Sequence, residues 1–254
     1  MSKKRSLSTE DARWVRQKGY NDALEFALAV GLPRDYKNDP KAKKDVIDIS
    51  GDAHSVKSGD KKWQIFLYRL SRFESDDGFV SLNGIGALLA DCIKSFPESF
   101  QEYQQNKTEA KERLRVPMRE LARRLQARTL LKAFLGKSLF NGNEVNYLTV
   151  KQDDVFHVFP NRDVVDLLGK ELEVCNSRAI SRGNMPEQKV LFRYGGVNVG
   201  EIEMRNDSEI HYREVRFNMI KPKVMKLLFL LRMTKKFNKK VFLYGRASRT
   251  FGRW

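Results

Sequence analysis

Asp48 and Lys57, in the stretch Lys44–Tyr68 (KDVIDISGDAHSVKSGDKKWQIFLY), are the residues with the most chemistry to offer. An aspartate can hold a hard cation through its oxygens, and a lysine can orient an attacking water or steady the charge that grows on a phosphate. Val46, Ile47 and Ile49 around Asp48 predict a first strand, Gly51 and Asp52 a turn, and His54–Lys57 the start of a second strand. Side chains alternate along a strand, so Ser55 and Lys57 project together while Val56 points into the sheet. An acid on one strand with a lysine on the next is one way to build a metal-dependent phosphodiesterase site. The plainer reading is a surface hairpin whose Lys57, Lys61 and Lys62 are solvated and whose Asp48 and Asp52 form turns. His54 is open to both readings, as a proton shuttle or phosphate contact, or as an ordinary polar strand residue.

The elements that must position this hairpin follow from the patterning. A helix is predicted from Thr9 to Val30, capped by Ser8 with Asp11 reaching back and ended by Gly31 and Pro33; Trp14, Leu24 and Leu28 face a core, and Glu25 lies on it. Lys62–Tyr68 reads as a third strand with Trp63, Ile65 and Leu67 on one face. Ser81–Phe96, Pro97–Leu114 and Met118–Leu135 read as helices, with Pro117 as a break, and Leu121, Leu125 and Leu131 opposite Arg119, Arg123 and Arg124. Beyond Asn141 the pattern predicts strands at Val145–Val150, Val155–Phe159, Lys189–Tyr194, Val197–Met204, Ile210–Met219 and Val241–Tyr244, with helices at Asn161–Leu168 and Lys221–Arg232. The expected fold is therefore mixed α/β (α+β), a central mixed sheet flanked by helices in a single domain over residues 1–254. Within it, the hairpin occupies about 44–68, a helical region about 81–137, and a strand-rich region about 141–254.

Composition points to a polyanion. The 254 residues carry 48 Lys and Arg against 32 Asp and Glu, a formal net charge of +16. Such an excess favours phosphate through counterion release. The charge is uneven: 107–137 holds ten bases against three acids, 212–254 thirteen against one, and 138–211 eight against twelve. Cys92 and Cys175 form no C-x-x-C pair, which argues for a reducing cytoplasm and against a zinc site. MSKKRSLSTED lacks the apolar stretch of a signal peptide, and Leu227–Leu231 is too short to span a bilayer, so neither export nor a membrane is expected.

Asp48, then Ser55-x-Lys57 on the next strand, with Glu25 on the preceding helix, resembles the PD-(D/E)xK nuclease motif of type II restriction endonucleases. Here Ser55 stands where that family has Glu or Asp, as in its Ser-x-Lys members, which take the second carboxylate from elsewhere; Glu74, Glu25 and Asp52 are the candidates. The resemblance spans roughly Leu24 to Glu74. It implies a restriction-endonuclease-like fold and Mg²⁺-dependent, sequence-specific hydrolysis of double-stranded DNA. Asp48 would bind metal with Glu74, Glu25 or Asp52, and Lys57 would orient the water. It also implies a homodimer, a cognate DNA methyltransferase as functional partner, and a bacterial or archaeal cytoplasm.

DNA contacts are expected from Arg119, Arg123, Arg124, Arg213, Arg216, Arg246, Arg249 and Arg253, with Tyr244, Phe251 and Trp254 interleaved among the last of these. A second acid cluster, Glu201, Glu203, Asp207 and Glu209 beside Arg205, alternates as the solvated face of a sheet would. Gly136-Lys137-Ser138 lacks the upstream glycine of a phosphate loop, and His157 and His211 stand alone among strand residues, which argues against a catalytic triad. The rival to a nuclease is a non-enzymatic DNA-binding protein, a repressor or replication-origin binder using the same basic surfaces. An RNA-binding protein is a third reading, without a signature to support it.

Overall fold

The computed structural model describes residues 9–36, 44–178 and 185–252, and these are mixed α and β throughout, as the patterning predicts. Helix α1 (Thr9–Ala29) is followed by strands β1 (Val46–Ile47), β2 (Ala53–Lys57) and β3 (Lys62–Tyr68). A helical run comes next: α2 (Leu70–Ser75), α3 (Asp77–Val80), α4 (Ile85–Lys94), α5 (Phe100–Gln105), α6 (Lys107–Leu125) and α7 (Arg128–Phe140). Strands β4 (Tyr147–Gln152) and β5 (Val155–Pro160) lead into α8 (Asn161–Glu171), then β6 (Glu173–Asn176), β7 (Lys189–Tyr194), β8 (Val197–Met204) and β9 (Val215–Ile220). Helix α9 (Lys221–Leu228), strands β10 (Met233–Lys236) and β11 (Val241–Tyr244), and the short α10 (Ala247–Thr250) complete the described chain. Among the described residues no helix is long and apolar enough to cross a membrane.

Where the sequence suggests one interleaved domain, the contacts divide the chain into two compact units, each assembled from separated segments. The first comprises Met1–Asp60, Asn143–Val164 and Leu231–Trp254; the second comprises Lys61–Gly142 and Val165–Leu230. The stretch read as one three-stranded element is thus shared out, because β2 and β3 enter different sheets.

The first unit holds a mixed sheet in the order β1-β2-β4-β5-β11-β10, with β2–β4 and β5–β11 parallel and the other pairs antiparallel. One face of that sheet carries Val46, Tyr147, Phe156, Val158, Val241 and Leu243, and α1 covers it with Ala23, Phe26, Ala27 and Val30. Full burial of a side chain such as Phe26 or Phe156 contributes roughly 1.5–3 kcal/mol. The apolar face of α1 is not the one the spacing suggested: Trp14 is 65% exposed, and Leu24 and Leu28 lie outside the core as well. Small Ala23 and Ala27 allow the helix to approach the strands closely, which larger residues at those places would prevent.

The second unit holds an antiparallel sheet in the order β3-β9-β8-β7-β6. Phe66 belongs to its core together with Phe73, Phe79, Phe134, Phe192 and Phe217, because a register shift between Gln64 and Phe66 interrupts the simple alternation of β3. Pro117 does not break the helix around it. Helix α6 runs through, held by Leu114, Met118, Leu121 and Leu125, all 2% exposed or less, and the break falls at Gln126–Ala127. The strand expected at Ile210–Met219 starts only at Val215, since Arg213 sits in a left-handed turn with φ +58°. The helix expected to reach Arg232 ends at Leu228, and Met233–Lys236 becomes a strand.

Candidate functional site

Turn chemistry closes the β1–β2 hairpin and decides where its two acids go. Val46 pairs with His54 and Ile47 with Ala53, so Val46, Asp48, His54 and Val56 lie on the core side. Asp48 Oδ1 accepts the Ser50 amide (2.9 Å), the Ser50 hydroxyl (2.6 Å) and the Asp52 amide (3.0 Å). Its Oδ2 lies 3.2 Å from His54 Nε2, and His54 Nδ1 lies 2.9 Å from Thr149 Oγ1. The imidazole is fully buried, stacked on Tyr147 with centroids 4.8 Å apart and flanked by Phe26 and Phe251. Burial pushes the His54 pKa below its ordinary value against the pull of Asp48, so the ring is neutral, with Nε2–H donating to the carboxylate and Nδ1 accepting from Thr149. Burial opposes the charge on Asp48, yet the hydrogen bonds from His54, Ser50 and the Asp52 amide outweigh it and hold its pKa below the usual range. Both carboxylate oxygens are thus committed to a buried clasp, and the expected metal role of Asp48 is not what this geometry serves.

The opposite face of the same hairpin carries Asp45, Ile47, Ser55 and Lys57. Asp45 Oδ2 accepts the Val56 amide at 2.7 Å and the Ser55 hydroxyl at 3.5 Å. Ser55 is fully buried, and Lys57 is half-buried with no side-chain hydrogen bond or ion pair among the described residues. The acid on the lysine's face is therefore Asp45. Strict alternation through the buried Val46 was the signal for it, since Asp45 and Asp48 are separated by an odd number of positions and must diverge.

The other expected ligands have other partners or belong to the other unit. The Glu25 carboxylate bridges Lys151 (2.6 Å) and Lys240 (2.8 Å), and Lys151 also reaches Asp22 at 2.7 Å. Burial opposes its charge, but those lysine hydrogen bonds hold the Glu25 pKa below its ordinary value. Asp52 is pushed up, by burial first and by its neighbour Asp48 second. Glu74 belongs to the second unit, where it pairs with Lys94 at 2.9 Å. Among the described residues no three His, Cys, Asp or Glu side chains form a group that could hold a metal ion. The Mg²⁺ shell that the motif implies does not fit these side chains, since among the described residues of the hairpin only Asp45 brings a carboxylate to the lysine's face.

Most of the arginines expected to meet DNA are already paired. On α6, Arg119 holds Glu187 through two hydrogen bonds of 2.9 and 2.6 Å, and Arg123 holds Glu120 through two of 2.6 Å. Arg124 shares that glutamate at 3.0 Å and donates to the Asn83 carbonyl. The hydrogen bonds from Arg123 and Arg124 bring the Glu120 pKa down to about 2. Arg216 bonds Glu203, Arg213 faces Glu98 at 3.6 Å, and Arg246 lies 2.5 Å from Asp163. Glu201 and Glu203 are buried in a cross-strand ladder with Lys62, Lys189 and Arg216 rather than solvated. His211 is held by Glu214 at 2.8 Å.

Arg249 is exposed and has no acid partner among the described residues, while Arg253 and Trp254 lie outside them, as does Ser8. Arg249 has company that the sequence reading overlooked. Strand β10 is exposed along its whole length at the outer edge of the first sheet, and Arg232, Lys235, Lys236 and Lys239 in and around it have no acid partner among the described residues. Lys236 lies over the Phe242 ring, 5.0 Å from its centroid. The first unit thus joins the Asp45–Lys57 face and an uncompensated cationic hairpin in one sheet. No protein-family model matches the chain, and no curated protein matches it at a significant level.

Proposed function

We propose that the protein is a DNA endonuclease of the restriction type, hydrolysing phosphodiester bonds in double-stranded DNA with Lys57 and Asp45 at the reacting phosphate. The observation that carries this reading is the shared face of Asp45, Ser55 and Lys57, with a lysine ammonium that has no partner among the described residues. Such an ammonium can hold a non-bridging phosphate oxygen and stabilise the charge that develops there in the transition state. Asp45 is anchored by the Val56 amide, so its carboxylate is fixed relative to Lys57. Since one carboxylate does not make a Mg²⁺ shell, no step is assigned to the ion, and dependence on it is a matter for the assay. The β10–β11 cations would grip backbone phosphates, chiefly as a sequence-independent contribution. A homodimer on a two-fold site, a companion methyltransferase and a bacterial or archaeal cytoplasm go with this reading. The free cysteines, Cys92 and Cys175, suit a reducing compartment.

The second reading, a DNA-binding protein without catalysis, draws on the same unpaired cations, which suffice for binding on their own. Unmethylated plasmid or phage DNA, incubated with Mg²⁺ or EDTA beside Lys57→Ala and Asp45→Asn, separates the two. Discrete fragments from the wild type alone support the nuclease. Retarded but intact DNA in every lane leaves the binding protein.

A further inference from the structure

A cleft of about 560 Å³ opens in the second unit, its wall including Arg69, Phe100, Tyr212 and Arg213 together with two acids, Glu98 and Glu209. Arg213 is the anomaly there. Its backbone is left-handed, at φ +58°, a conformation that side-chain-bearing residues rarely adopt and that collects at ligand-binding positions. Its Nε is buried and has no hydrogen-bond partner among the described residues. Its acid neighbour Glu98 stands 3.6 Å from Nη1 with a side chain 95% exposed, too far for a hydrogen bond. Arg69 commits Nε to Glu214 and Nη2 to the Ile210 carbonyl, which leaves Nη1 uncommitted among the described residues. Backbone strain at Arg213, beside a second arginine with an Nη uncommitted among the described residues and in one cleft, marks a site for a ligand.

We propose that this cleft binds an oxyanion, and a phosphate group in particular, with Arg213 as the principal contact and Arg69 as the second. The guanidinium fork matches the oxygens of phosphate. Glu98 is the displaceable counter-ion that the ligand replaces, and its exposure lets it swing aside. Glu209 sets an upper limit on the charge the cleft tolerates. The proposal stands apart from the nuclease reading, since it needs neither Lys57 nor the β10–β11 hairpin. The phosphate could be free, on a nucleotide, or part of a nucleic-acid backbone.

The full chain, wild type and variants, is titrated calorimetrically with inorganic phosphate, with a nucleoside 5′-monophosphate and with a short DNA duplex. Arg213→Gln is expected to weaken at least one of these at least tenfold, and Glu98→Gln, at an exposed position, to tighten the same ligand severalfold. Loss confined to phosphate and nucleotide assigns a small-molecule site; loss of the duplex assigns a backbone contact. Arg213→Gly checks that the loss is not unfolding: freed of the left-handed strain, it should melt a few degrees higher while binding no better than Arg213→Gln. Identical titrations for the wild type, Arg213→Gln and Glu98→Gln with all three ligands overturn the proposal.

Discussion

Asp45 and Asp48 stand on one short hairpin and meet opposite fates. Asp48 faces the core, where three donors and a buried imidazole absorb its carboxylate. Asp45 faces the other way, tied to the strand by the Val56 amide and sharing its face with a lysine that has no partner among the described residues. Sequence spacing alone rates the two acids alike. Strand alternation and burial separate them, so on a hairpin the acid that can do chemistry is the one whose parity matches the lysine rather than the one embedded in the most apolar run.

The largest expected effect breaks that comparison directly. Lys57→Ala and Asp45→Asn should each lower DNA cleavage by at least about 10²-fold, the scale for losing a group that stabilises developing charge. Lys57→Ala should not change the melting temperature appreciably, because Lys57 has no partner to lose among the described residues, and in Asp45→Asn the asparagine can still accept the Val56 amide. Cleavage that survives Lys57→Ala would remove the site from this face.

Asp48→Ala sharpens the other side. It removes the acceptor of the part-buried Ser50 and Asp52 amides and orphans the His54 Nε2 donor, which is fully buried, and should lower stability by about 3 kcal/mol, roughly 6–12 °C in Tm. The folded fraction should retain its activity. A variant that melts normally but no longer cleaves would return Asp48 to the chemistry.

The same clasp predicts a pH dependence. His54 has its pKa depressed in the fold by burial, so below about pH 6.5 the unfolded chain takes up a proton that the native ring refuses, and stability falls as pH drops from 7 towards 5. The slope from this one group is at most about 1.4 kcal/mol per pH unit. Asp48, with its pKa lowered, adds stability that is present above the ordinary carboxylate range and lost only as pH falls below it. Thermal melts from pH 7.5 to 5 on the wild type and on His54→Asn should show the decline in the first and a flatter profile in the second.

The sequence made much of this legible. The mixed α/β class, the α1 helix, the β1–β2 turn at Gly51 and most of the later strands follow from local patterning. What was not legible depends on distant partners. Val46 is buried in the core that α1 covers, and that burial fixes which acid faces the core. Pro117 sits within α6 because the flanking leucines and Met118 are fully packed, and no local propensity records that. The separation of β2 from β3 into two sheets is likewise a matter of which strand each finds far along the chain, β4 for the one and β9 for the other.

Charge runs carry the same lesson, and the smallest expected effect tests it. The α6 arginines and the β10–β11 cations look equivalent in composition, yet Glu187 and Glu120 neutralise Arg119, Arg123 and Arg124, whereas Lys235, Lys236 and Lys239 have no acid partner among the described residues. A guanidinium already held by two hydrogen bonds must give them up to meet a phosphate, so little net attraction is left. A solvated lysine releases a DNA counterion at almost no internal expense. Lys235→Ala with Lys236→Ala should therefore weaken duplex binding about tenfold in low salt and flatten the logarithmic salt dependence by roughly two units, near 0.9 per phosphate contact. Arg119→Ala with Arg123→Ala should move it less than twofold. Titrations at two or three salt concentrations give both numbers. Equal losses from the two pairs would mean that the acids on α6 yield to DNA, and that an ion pair inside the free protein does not take an arginine out of the interface.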